Sequence, residues 1–193
     1  MINKFEDTIL IGVTYPRFIQ MPSGNLLFEC RIGTSGYGDS YLWEYNGDLD
    51  KWKGKGIYIN GIKSNENPYI YGIKYDNNGK LHVTWCWRKT SDPSTNQDLY
   101  YAFSIDDGKS WYDNYGNKIA IAGNSQIALN RSINTLKVWE IPENRGLINQ
   151  ESMTIDSEGK IHVLLSHLKQ QDQSNKNFLK ARKMAYAFHY IEI

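Results

Sequence analysis

The 193-residue chain carries 22 basic and 21 acidic side chains for a net charge of +1. No global field therefore favours nucleic acid or an anionic membrane surface, and any affinity for an acidic partner has to be local. Aromatic residues make up 13%, with 14 Tyr and 6 Trp, and stretches of helical periodicity are few, which predicts an all-β fold. No apolar run approaches the roughly 20 residues that span a bilayer, and residues 1–7 lack the apolar region of a signal peptide.

In chain order, residues 8–13 read as one strand of a preceding unit. Three segments then share a turn followed by a strand: 22–28, 76–83 and 156–163, the last two as Asp-x-x-Gly-Lys-Leu/Ile-His-Val. Each closes a predicted hairpin, at 18–31, 71–88 and 152–167, with Gly24, Gly79 and Gly159 where a tight turn wants a left-handed residue. A third strand follows each hairpin, at 41–45, 99–103 and 184–188, and Tyr186-Ala187-Phe188 repeats Tyr101-Ala102-Phe103.

After the middle unit, residues 104–111 fit the pattern S-x-D-x-G-x-x-W. Ser104 and Asp106 supply short side-chain oxygens that fold a corner on local N–H groups, Gly108 supplies a positive φ, and Trp111 carries a large ring into the next strand. Trp52 stands in for that tryptophan in the first unit. The polar stretches 53–68, 89–97, 123–148 and 169–179 are predicted to be loops. Cys30 and Cys86 are too few for a disulfide framework and read as buried small hydrophobes.

Residues 104–111 resemble the aspartate box of BNR-repeat β-propellers such as the sialidases, where it is a structural corner. Thr14-Tyr15-Pro16-Arg17-Phe18-Ile19, Cys30-Arg31 and Trp85-Cys86-Trp87-Arg88, with residues 95–99 and 147–151, extend the likeness over nearly the whole chain. They resemble the BNR-repeat family that includes the ulvan-lyase-like polysaccharide lyases. The resemblance implies a partial β-propeller of about three four-stranded antiparallel blades. Residues 1–14 would supply an orphan N-terminal strand, 15–62 one blade, 69–122 a blade with the box, and 149–193 an incomplete blade. Family lyases have seven blades, so the expectation is a fragment whose open edges are covered by a missing half-propeller or by self-association. Secretion or a periplasmic location follows if the N-terminus has been lost.

The family's lyases cleave acidic polysaccharides by β-elimination, using a tyrosine sixteen positions before an arginine, and Tyr15 and Arg31 keep that spacing. The chemistry suits the residue types. Removing the proton beside a uronate carboxylate requires that carboxylate to be neutralised, which a planar, permanently charged guanidinium does bidentately. Tyr15 beside such a cation is expected to have its phenol pKa pulled below about 10 and to transfer protons. Arg88, His167, Trp87 and Asn149 are the substrate-binding candidates: Arg88 and His167 end their strands where Arg31 does, Trp87 offers a ring, and Asn149 offers an amide. His82 and His162 share one slot of the repeat and read as scaffold. No spacing suits a metal, and no cofactor motif is found. The expected partner is an acidic polysaccharide or another glycan. The competing readings are a sialidase-like hydrolase and a non-catalytic glycan-binding propeller, and the family's histidines lie upstream of residue 15, so the isolated chain is expected to be inactive.

Overall fold

The computed structural model describes residues 11–191. Three antiparallel sheets follow one another along the chain. The first contains β1 (Val13–Gln20), β2 (Leu26–Thr34), β3 (Tyr37–Asn46) and β4 (Lys51–Ile59), in that order. The second contains β5 (Asn67–Tyr75), β6 (Leu81–Arg88), β7 (Asn96–Ser104), β8 (Ser110–Tyr112) and β9 (Lys118–Ile121), with β10 (Lys137–Trp139) also paired to β7. The third contains β11 (Ser152–Ile155), β12 (Ile161–His167) and β13 (Tyr186–Ile191), and the short helix α1 (Phe178–Lys183) precedes its last strand. Among the described residues no helix is long and apolar enough to cross a membrane.

The repeated turns have one local cause. Asp76 Oδ1 accepts from the N–H groups of Asn78 and Lys80 at 2.9 and 2.8 Å, and Asp156 Oδ1 does the same for Glu158 and Lys160 at 2.9 Å each. His82 and His162 then reach back to the same aspartates, at 3.4 and 3.0 Å. These turns start β6 and β12 in equivalent registers, so strand pattern and turn chemistry agree.

Consecutive sheets pack face to face. Leu27, Leu42 and Tyr58 of the first meet Leu81, Val83, Trp85, Trp87 and Trp111 of the second in one core cluster. Tyr69, Tyr71, Cys86, Leu99 and Tyr101 on the second meet Met153, Ile161, Val163 and Leu165 of the third in another. At Gly36, with φ +83°, the β2–β3 turn comes so close to the second sheet that an added Cβ would lie 2.5 Å from the carbonyl carbon of Thr90. Both cysteines are buried and unpaired.

Several expected boundaries move. The strand expected at 8–13 lies mostly outside the described residues, with Val13 opening β1. Residues 53–59 are strand rather than loop: they complete β4, whose pairing with β3 is interrupted by register shifts beside Gly54 and Gly56 that mask its alternation in sequence. Residues 123–148 contain β10, residues 178–179 begin α1, and the last strand starts at Tyr186 rather than 184 because Met184 caps that helix. Among the described residues the three antiparallel sheets carry 4, 6 and 3 strands.

Candidate functional site

Tyr15 owes its position to a bulge. β1 and β2 pair Thr14 with Arg31 and Arg17 with Glu29, so Tyr15 and Pro16 together oppose Cys30. Tyr15 takes φ +56°, a left-handed conformation that costs a non-glycine residue on the order of 1–3 kcal/mol and that clusters at functional positions. The bulge aims its ring at the second sheet, where it meets Tyr69 edge-on with centroids 5.4 Å apart.

Two guanidinium groups converge on that pair. Arg31 lies 5.1 Å from the ring centroids of both Tyr15 and Tyr69, and Arg88 lies 5.0 Å from that of Tyr69. Arg31 Nε donates to Thr14 Oγ1 at 2.8 Å, while Arg88 Nη1 donates to the Tyr69 hydroxyl at 2.8 Å and to Ser35 Oγ at 2.9 Å. Both arginines are buried, and neither is paired with a carboxylate among the described residues. Arg31 Nη1 and Arg88 Nε are buried with no hydrogen-bond partner among the described residues. Buried cations normally carry a counter-charge, so this arrangement favours an anion.

The third sheet contributes through the segment leading into β11. Asn96 Nδ2 donates to the Leu147 carbonyl at 2.8 Å and the Tyr71 hydroxyl to the Ile148 carbonyl at 3.3 Å. That backbone is thereby pinned, and Asn149 Nδ2 donates to the Tyr15 hydroxyl at 2.9 Å. The group thus draws on all three sheets.

The electrostatics correct one expectation. Burial, joined by the neighbouring Tyr69 phenol, raises the pKa of Tyr15 above its ordinary value, and the charge of Arg31 does not offset this. Tyr69 shifts the other way. Burial alone would raise its pKa, but the hydrogen bond with Ser35 and the charges of Arg88 and Arg31 lower it on balance.

The family model of a BNR repeat-containing family member matches residues 1–192. The chain belongs to this BNR-repeat family. No curated protein matches this BNR-repeat chain. Among solved structures it is similar to the polysaccharide lyase Uly1, at 18% identity and TM-score 0.60, covering 92% of this chain and 40% of that one. It is also similar to a PL25 ulvan lyase bound to -[GlcA(1-4)Rha3S]-, at 12% identity and TM-score 0.62, covering 93% and 41%. A third neighbour is the α-L-arabinanase of Penicillium chrysogenum complexed with arabinobiose, at 14% identity and TM-score 0.52, covering 96% and 47%. At these identities the likeness is one of fold, nearly all-β and propeller-type. The BNR-repeat chain spans about two fifths of the length of the lyases it matches.

Other sequence candidates lie elsewhere. Trp87 is fully buried in the core between the first two sheets and presents no ring face to a sugar. It follows Leu81, Val83 and Trp85 in the alternation of β6, all four facing the same core. His167 is bonded to the Leu168 carbonyl at 2.8 Å and the Tyr190 hydroxyl at 2.7 Å, and among the described residues it is bonded to neither Tyr15 nor Arg31. Ser104 Oγ accepts from Gly108 N–H at 2.8 Å, Asp106 Oδ1 accepts from Ser110 N–H at 2.7 Å, and Trp111 Nε1 donates to the Gly108 carbonyl at 3.1 Å, so these four residues form a packed corner. Sequence reasoning missed Tyr69 and Ser35. Tyr69 follows Pro68 as Tyr15 precedes Pro16, a weak signal, and nothing marked Ser35 apart from its turn.

Proposed function

We propose that this chain carries the anion-binding part of a carbohydrate-active site that grips a uronate within an acidic polysaccharide. The observation that carries this reading is the pair of buried guanidinium groups, Arg31 and Arg88, set against the ring of Tyr69 with no acidic partner among the described residues. Arg31 and Arg88 would neutralise the carboxylate next to C5, which makes the C5 proton removable. In an elimination, a base takes that proton, the C5–H electron pair becomes the C4=C5 double bond, and the C4–O4 bond breaks. Tyr15, kept protonated by its raised pKa, donates its proton to the departing O4.

The base would come from outside this group. All four histidines, His82, His162, His167 and His189, are hydrogen-bonded elsewhere. The chain alone is therefore expected to bind without turnover, and lyase activity is a property of a longer assembly. A sialidase-like site needs a third arginine on the carboxylate. Arg17, the arginine next along β1, is instead tied to Glu29 at 2.8 Å and to the Ile70 carbonyl at 2.7 Å.

The test is calorimetric titration with a uronate-containing tetrasaccharide and its carboxyl-reduced counterpart. Binding of the first alone, weakened at least about tenfold by Arg31→Ala and by Arg88→Ala, supports the reading, since a charge-assisted hydrogen bond contributes about 1.5–3 kcal/mol. Equal binding of both sugars would sink it.

A further inference from the structure

A second cleft of about 300 Å³ opens between the second and third sheets, lined by Trp139, His167, Gln170, Gln171, Phe188 and Tyr190 among others. We propose that it is a distinct glycan-binding subsite, in which Trp139 stacks on a pyranose ring and Gln170 and Gln171 bond its hydroxyls.

Four observations carry this. First, Trp139 is 50% exposed, whereas the other five tryptophans are at most 9% exposed. An indole face left open beside polar groups suits the C–H face of a sugar. Second, the wall behind it is rigid: the Tyr190 ring lies 5.4 Å from that of Trp139, and His167 stacks on Phe188 at 4.4 Å while bonding Tyr190. Third, among the described residues neither glutamine amide has a hydrogen-bond partner, yet the backbone that presents them is held. Arg145 donates to the carbonyls of Lys169 and Gln170 at 3.0 and 3.1 Å and to that of Asp172, and Asp172 Oδ2 accepts from Lys169 N–H at 3.0 Å. With the backbone already held, binding pays no loop-ordering cost, only the side-chain ordering of the two amides.

Fourth, the lining includes no carboxylate and includes Lys169, so both neutral and acidic glycans are electrostatically acceptable. His167 ends β12 as Arg88 ends β6, which places the cleft on the same end of the sheets as the arginine pair. A polymer lying over that end would meet both.

Because the other tryptophans are buried, collisional quenching of intrinsic fluorescence reports chiefly on Trp139. The experiment titrates the protein with cellotetraose, xylotetraose and tetragalacturonate while following acrylamide quenching, in the wild type, in Trp139→Ala, in Gln170→Ala/Gln171→Ala and in Arg31→Ala. Expected are protection of Trp139 by at least one sugar, about tenfold weaker calorimetric binding of that sugar in Trp139→Ala and in the double variant, and protection retained in Arg31→Ala. Loss of protection in Arg31→Ala would make the cleft part of the arginine site and overturn the proposal of a separate subsite. Quenching that no sugar changes, or that changes only with protein concentration, overturns it as well, the latter by revealing a self-association surface.

Discussion

Asn149 Nδ2 donates to the Tyr15 hydroxyl at 2.9 Å, joining residues 134 positions apart and tying the segment that leads into β11 to β1. Since the amide can only donate there, the phenol proton of Tyr15 points elsewhere, and the bond favours the phenolate over the phenol. Asn149→Ala is expected to raise the Tyr15 pKa further, because it removes a donor that favours the phenolate. Titration of tyrosine-labelled protein by carbon NMR measures it, and an unmoved Tyr15 resonance would remove the coupling.

The opposite shifts of Tyr15 and Tyr69 give a second test. Ser35→Ala and Arg88→Gln each delete a contribution that lowers the Tyr69 pKa, so each is expected to let burial raise it. Tyrosinate absorbance on alkaline titration follows the change. Arg88→Lys should restore only part of the effect, since a lysine cannot both bond Ser35 and stack on the Tyr69 ring as the guanidinium does.

At the corner of the second sheet, Ser104→Ala leaves the buried Gly108 N–H without its acceptor, at an expected cost of about 1–3 kcal/mol. Trp111→Ala removes a fully buried ring stacked on Tyr58 at 5.2 Å and should cost about 3–5 kcal/mol. Urea unfolding resolves both, and a Ser104→Ala variant as stable as wild type would contradict the hydrogen-bond account.

His82 gives stability a pH dependence. Burial, the leading cause, lowers its folded pKa below the ordinary 6.5, and the attraction of Asp76 only partly opposes this. A depressed folded pKa means the unfolded chain binds the proton more readily, so the contribution is present above about pH 6.5 and lost as pH falls through the folded value. His167, also lowered by burial, acts in the same direction. Melting temperature is expected to fall from pH 7.5 to 5.5, with a shallower slope in His82→Gln. An identical slope in that variant would assign the effect to other groups.

The sequence by itself determined what is local. The Asp76 and Asp156 turns, their glycines and the strands behind them are set by contacts within a few residues, which is why the repeat and the all-β fold could be read directly. That positions 15 and 31 lie side by side follows from a single hairpin. Tertiary structure alone decided the rest. Tyr69 joins Tyr15 only because the first two sheets pack face to face, and Asn149 reaches it only because Asn96 and Tyr71 of the second sheet hold the segment that carries it. Trp87 alternates with Leu81, Val83 and Trp85 on one face of β6, and it is lost to the core only because the first sheet packs over that face. The pKa of Tyr15 rises rather than falls because burial, which exists only once the sheets are packed, outweighs the cation beside it.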